Sequence, residues 1–258
     1  MKKIKTISTF ILLLFIGSLT SQAQSRVYAD VNGDGEVNIS DVNAVIDVIL
    51  GGAAPSQLHD YVDLGLPSGT LWATCNIGAN APEEYGDYFA WGETMPKDNY
   101  NDSTYLWYKW DSNGSGYTKY CFESRFGYDG FTDGKMELDL VDDAAVANWG
   151  YQWRMPSLAQ LIELNEKCTW TWTLQNNVYG QMGTGPNGNT IFLPAVGNRY
   201  NESIEYAGTL GQFWSRTLHS GYSGAAYNMY ISSNFVDCLL IRERCMGLAV
   251  RAVRVSQN

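Results

Sequence analysis

Histidine is almost missing from this chain, which carries only His59 and His219 in 258 residues. That is too few for a histidine-rich metal centre. Basic residues are scarce as well, 17 against 27 acidic ones, for a formal charge of −10. Such a surface repels a phosphate backbone and argues against a nucleic-acid partner. It suits cations instead. There are only 7 prolines, and the 26 glycines follow no three-residue period, which excludes a collagen-like chain. The five cysteines are Cys75, Cys121, Cys168, Cys238 and Cys245. No pair has the CxxC spacing, so neither a zinc knuckle nor a thioredoxin-like redox pair is present. An odd number leaves at least one thiol unpaired within the chain. Cys238 and Cys245 are spaced to face each other across a hairpin, whereas the plainer reading makes most of the five small buried hydrophobes.

Long apolar runs are lacking too, with one exception at the N-terminus. Lys2, Lys3 and Lys5 precede an apolar stretch over 7–19, and Ser21-Gln22-Ala23 offers small residues for cleavage after Ala23. The stretch falls short of the roughly 20 residues a membrane span needs. Residues 1–23 therefore read as a secretory signal. The expectation is a secreted, periplasmic or cell-surface protein with no membrane span after cleavage near Ala23.

Residues 30–41 read Asp-Val-Asn-Gly-Asp-Gly-Glu-Val-Asn-Ile-Ser-Asp. Side-chain oxygens fall at loop positions 1, 3, 5, 9 and 12, on Asp30, Asn32, Asp34, Asn38 and Asp41, and Glu36 at position 7 would offer its backbone carbonyl. A hard cation such as Ca2+ takes six to eight oxygens from a chain wrapped around it, and Gly35 stands where that wrapping turns sharply. The alternative, an Asn/Asp/Gly surface turn, does not explain five matching ligand positions with the glycine. This stretch resembles a type I dockerin repeat. The resemblance covers residues 30–51 and implies an EF-hand-like loop-helix with those residues as calcium ligands. A dockerin normally has two such repeats, and here there is one.

The segment after the loop is amphipathic. Val42, Val45, Ile46 and Ile49 recur at i, i+3, i+4 and i+7, a stripe that needs cover from a second element or a partner such as a cohesin-like protein. Gly51-Gly52 stops the helix, so residues 24–50 form the dockerin-like unit and 51–59 a linker.

From residue 60 to 258 the texture changes to short apolar or aromatic runs broken by Gly, Asn and Asp. With aromatics at 14% of the chain, including 9 Trp and 17 Tyr, the pattern suits many short strands. Strands are expected over 71–73, 88–91, 191–193, 213–214, 226–231, 235–241 and 248–255. Helices are expected over 142–148 and from Leu158 to about Lys167, where Ser157 and Gln160 form a capping box. The expected class is α+β, with few helices and long loops.

Several blocks then carry a resemblance. The 61–73 segment (YVDLGLPSGTLWA), 86–93 (GDYFAWGE), 142–150 (DDAAVANWG), 153–157 (WRMPS), 192–199 (FLPAVGNR), 213–217 (FWSRT) and 247–253 (GLAVRAV) occur in an order that resembles the Fibrobacter major paralogous domain family. The resemblance implies a C-type lectin-like fold far more firmly than any activity. The EPN, QPD and WND triplets of calcium-dependent sugar-binding lectins are absent from the sequence.

Catalytic constellations are unmarked. His219 has Ser215 and Ser220 nearby but no nucleophile elbow. Asp129, Asp133, Asp139, Asp142 and Asp143 form an acidic cluster, of which Asp142 and Asp143 suit a helix start. Aromatic platforms for glycan are the remaining candidates: Trp107, Tyr108 and Trp110 in a polar insertion, and Trp170 and Trp172, which alternate with Thr and so share one strand face. The opposing reading makes these rings core. Arg154, Arg199, Arg216 and Arg251 read as structural donors to loop carbonyls. Together these features lead us to expect an exported, calcium-binding, lectin-like protein that binds glycan or protein. The rival reading is a dockerin-bearing component of polysaccharide catabolism with hydrolytic activity.

Overall fold

The computed structural model describes residues 59–254, which belong to the second of two units into which the chain divides. The expected signal segment, the expected calcium loop with Asp30, Asn32, Asp34, Glu36, Asn38 and Asp41, and the stripe of Val42, Val45, Ile46 and Ile49 lie outside the described residues. No helix among the described residues is long and apolar enough to cross a membrane.

The architecture consists of small antiparallel sheets with two short helices. Strands β1 (Tyr61–Asp63), β2 (Leu71–Ala73), β14 (Val253–Arg254) and β5 (Trp153–Arg154) form one sheet in the order β1-β2-β14-β5. It zips the beginning of the domain to its end. A hairpin joins β3 (Tyr108–Asp111) to β4 (Gly114–Tyr117), and a second joins β9 (Asn198–Tyr200) to β10 (Ser203–Glu205). Two three-stranded meanders supply most of the ordered backbone. One runs β6 (Thr169–Gln175), β7 (Val178–Thr184), β8 (Thr190–Pro194); the other runs β11 (Leu210–Leu218), β12 (Ala225–Ser232), β13 (Val236–Glu243). Consecutive strands joined by short turns pair in this way without a crossover.

Local chemistry accounts for the elements. In β6 the run Thr-Trp-Thr-Trp-Thr has the period of two that a pleated strand requires. It turns into β7 through Asn176 and Asn177 at φ 46 and 64, the paired left-handed conformation of a tight hairpin that asparagine tolerates. Helix α2 (Leu158–Lys167) starts on the expected capping box: Ser157 Oγ accepts from the Gln160 amide, and Gln160 Oε1 accepts from the Ser157 amide. Helix α1 (Ala144–Trp149) starts two residues later than expected. Leu140–Asp142 closes a 3-10 turn, and buried Asp143 becomes the cap, accepting from the amides of Ala145 and Val146.

One expected strand is not built and another is built only at its end. Residues 88–91 make only the bridge Phe89↔Leu248. All four side chains are buried, so this segment threads the core, and Trp91 N–H finds the carbonyl of Arg244 rather than a neighbouring strand. Of 248–255 only Val253–Arg254 pairs regularly, because Leu248 and Ala249 each bridge a different partner, Phe89 and Phe213.

The interior falls into three clusters. Trp91, Trp149, Trp153 and Trp214 dominate the first; Trp72 with Leu161, Leu164, Ile191 and Leu193 the second; and Tyr88, Tyr100, Tyr105 and Tyr117 the third. Several of these tyrosines and tryptophans are buried with their polar tips satisfied, whereas Trp72 Nε1 has no partner among the described residues. Tyr88 Oη donates to Val196 O, Tyr105 Oη to Trp91 O, Trp91 Nε1 to Ser215 O and Trp214 Nε1 to Phe89 O, at 2.6–2.8 Å. Aromatic abundance thus serves loop-spanning hydrogen bonds as well as apolar burial.

Candidate functional site

The candidate aromatic residues separate into packed rings and displayed rings. Trp107, half-buried, donates from Nε1 to Gly92 O at 2.8 Å and packs against the third cluster. Tyr108 lies edge-on to Tyr117 at 5.0 Å. Both belong to the wall of the domain. Trp110, two residues on and opposite Ser115 in the β3–β4 hairpin, is 77% exposed.

The same division recurs on β6. Trp170 lies opposite Gly183, where a Cβ would meet its ring at 2.7 Å, so the glycine makes room for the indole. Its Nε1 donates to Asn165 O, and the ring packs on the second cluster. Further along the same face, opposite Gln181, stands Trp172. Its ring plane is within 7° of that of Tyr179 on β7, with centroids 6.0 Å apart. Tyr179 is 49% exposed and its neighbour Leu174 51%. Ile191 and Leu193 on β8 continue this face and are buried. The face is therefore core at the β8 side and open towards the β6–β7 turn. Tyr179 escaped sequence reasoning. The signal that would have found it is Asn176-Asn177, a two-residue turn that sets Leu174 opposite Tyr179 and puts the tyrosine on the tryptophan face.

Groups with catalytic potential are otherwise engaged. Ser215 is fully buried, and its Oγ donates to Tyr227 O at 2.8 Å. His219 lies edge-on to Tyr227, with ring centroids 5.2 Å apart. His59, read as a linker residue, is part of the domain: it stacks on Trp149 at 3.8 Å and meets Trp153 edge-on. All five cysteines are buried free thiols. Cys238 and Cys245 do not pair, since one packs in the second cluster and the other in the third. Burial pushes the thiols of Cys75, Cys238 and Cys245 up and that of Cys168 to about 11, opposite to the depressed value of a reactive thiolate.

Four of the five carboxylates of the acidic cluster, all but Asp129, are likewise spent on the fold. Asp133 accepts the amides of Tyr120 and Cys121 at 2.8 and 2.9 Å. Asp142 accepts from Lys119 and from Tyr120 Oη. Asp139 is paired with Lys119 and Lys135. Asp143 adds the Met155 amide and Arg154 Nε to its capping bonds. No group of three or more His, Cys, Asp or Glu among the described residues is arranged to hold a metal ion.

The arginines do bond carbonyls. Arg199 donates to Lys97 O, Asp98 O and Glu202 O, Arg216 to Met155 O, and Arg251 to Ala73 O, Thr74 O and Phe192 O. Arg154 instead reaches a carboxylate, Asp143. Sequence reasoning missed Arg244, wholly buried, with its guanidinium 4.5–5.9 Å from the centroids of the Trp91, Tyr105, Tyr117 and Tyr120 rings.

No family model, curated protein or solved structure matches the chain.

Proposed function

We propose that this is an exported binding protein that holds glycan on a lectin-like domain and takes up one calcium ion in a dockerin-like loop at its N-terminal side. The observation that carries the glycan reading is the Trp172–Tyr179 pair: two nearly parallel rings, partly open to solvent at the end of a hairpin face whose other end is core. Ring faces of this kind stack on the apolar face of a pyranose, and the polar turn residues beside them can bond its hydroxyls. Engagement of Ser215, the acidic cluster and the cysteines in the fold supports binding over turnover. The calcium reading rests on the oxygen spacing of Asp30, Asn32, Asp34, Glu36, Asn38 and Asp41. The lectin-like assignment rests on the ordered sequence blocks and agrees with small antiparallel sheets and few helices.

A glycan array with the mature chain, run with and without calcium, tests the reading. Trp172→Ala should remove most glycan signal while leaving the melting temperature within a few degrees. A chain that binds no glycan, or whose binding survives Trp172→Ala, ends the proposal. In calorimetry Asp30→Ala should abolish uptake of calcium, which even weak extracellular loops bind at about 10⁻⁴–10⁻³ M.

A further inference from the structure

Three arginines line one cavity in a chain that is strongly acidic. Arg154, Arg216 and Arg254 surround a space of about 230 Å3 together with Ser68, Thr70 and Gln160. In the β14–β5 ladder Arg154 stands opposite Val253 and Arg254 is the next residue along β14, opposite Trp153; β11 brings Arg216, and Gln160 comes from the first turn of α2. Each guanidinium is anchored at one side. Arg154 gives Nε to Asp143 Oδ2 at 3.1 Å. Arg216 gives Nε to Glu137 Oε2 at 3.0 Å, and Nη1 to Met155 O and Gln160 Oε1. Arg254 gives Nη2 to Gln152 Oε1 at 3.3 Å and lies over the Tyr61 ring.

A guanidinium carries five N–H donors in a fixed fork. Among the described residues these bonds leave both terminal nitrogens of Arg154, Nη2 of Arg216, and Nε and Nη1 of Arg254 without a protein acceptor. The carboxylates close by are already used: Asp143 and Glu137 by these arginines, and Glu163 by the Ser68 amide and hydroxyl at 2.8 and 2.5 Å. None of them lines the cavity. Spare donors on three neighbouring cations, held from behind, are a socket for an oxyanion, which a planar fork meets with paired charge-assisted bonds.

We propose that this cavity binds the acidic group of a sugar ring, as the carboxylate of a uronic acid or a sulfate ester. The inference rests on the glycan reading and narrows it to acidic glycans. The volume lies below the roughly 300–1,000 Å3 of pockets for larger ligands, so it admits one ring-sized unit rather than a length of peptide. The hydroxyls of Ser68 and Thr70, 2.6 Å apart, and the Gln160 amide, which donates to Thr70 Oγ1, form a polar side suited to ring hydroxyls. Val253 is the apolar wall.

Calorimetry on the mature chain should compare four probes: a galacturonate oligosaccharide, the matching neutral galactose oligosaccharide, a sulfated galactose oligosaccharide and a glutamate peptide. At least one acidic sugar should bind about tenfold more tightly than the neutral one and lose affinity as salt rises. Whichever binds identifies the source of the oxyanion. Arg254→Gln should weaken that binding about tenfold with an unchanged melting temperature, since Arg254 has only Gln152 and Tyr61 to lose. Arg154→Lys, which keeps a charge beside Asp143, should weaken it as well. Equal affinity for acidic and neutral sugars overturns the proposal, as does an unaffected Arg254→Gln variant. Tighter binding of the glutamate peptide overturns the sugar assignment. If the neutral sugar binds and is lost in Trp172→Ala while no acidic preference appears, the cavity fails and the aromatic platform stands.

Discussion

Arg244 and Arg251 differ from Arg154, Arg216 and Arg254 in what their donors reach. The first two are at 0% and 1% exposure, and neither has a carboxylate within ion-pair distance among the described residues. Arg244 donates to Tyr105 Oη and to the carbonyls of Lys119, Tyr120 and Ser223, inside a box of four aromatic rings. Arg251 donates to Asn76 Oδ1 and to three carbonyls. A buried charge is tolerated where its donors are met, and both sites meet most of theirs with backbone oxygens, Arg244 from loop segments and Arg251 from Ala73 of β2, Thr74 and Phe192 of β8, with Arg251 Nη2 left over. The three cavity arginines have partners on one side and spare donors on the other. The same side chain thus staples loops together when enclosed and offers a binding fork when half enclosed.

The sharpest break of the comparison is Arg244→Met. It should cost about 3–5 kcal/mol, because it takes the donor away from the Tyr105 oxygen and from three carbonyls and removes the cation from the ring faces. At this domain size, each kcal/mol lowers the melting temperature by about 2–4 °C. Arg251→Met should cost less, about 2–3 kcal/mol. Burial has already pulled that guanidinium down to about 10, against the opposing pull of Cys75, so more of its interaction is spent on keeping the charge. Urea denaturation of the two variants ranks them. An Arg251 variant less stable than the Arg244 variant would show that the aromatic box adds little beyond its hydrogen bonds.

Next in size is Asp143→Ala, expected to cost about 2–3 kcal/mol. It removes the cap of α1, orphans the Met155 amide and releases Arg154 from its anchor. Asp143→Asn should restore part of the capping but not the ion pair. If Arg154 serves the cavity through this anchor, both variants also lose affinity for the acidic sugar, a readout that helix capping alone would not move.

The elements that were legible in the sequence are those decided within a few residues. The capping box at Ser157 and Gln160 and the Thr/Trp alternation of β6 are of this kind, and both stand as expected. Period alone placed Trp170 and Trp172 on one face. It could not say that Trp170 lies over Gly183 and that the open end begins at Trp172, because that depends on how far β8 and the core extend. Arg244 was hidden for the same reason. Its partners Tyr105, Lys119 and Tyr120 lie 124–139 residues away in sequence. The segment 88–91 has the composition of a strand, yet burial on both sides and scattered partners keep it out of any ladder. Of the cavity arginines, Arg154 and Arg216 fell within blocks read as structural and Arg254 just beyond the last block, and only their unused donors set them apart.

The smallest effect concerns the imidazole of His59, at the start of the described domain. His59 stacks on Trp149 and meets Trp153, and burial lowers its imidazole below the usual value near 6.5, with the charge of Asp60 opposing more weakly. A group whose folded value is depressed is neutral in the fold and takes up its proton more readily when unfolded. Its contribution to stability is therefore complete above about pH 6.5 and declines as the pH falls through the lower, folded value. His59→Phe keeps a flat ring against Trp149 and removes the titration. Denaturation midpoints of the parent and the variant, measured from about pH 8 to pH 5, should differ by a constant at the upper end. They should move in the variant's favour below pH 6.5. A difference that stays flat across the whole range would show that His59 keeps its ordinary affinity for protons, and that its stacking excludes no water worth the name.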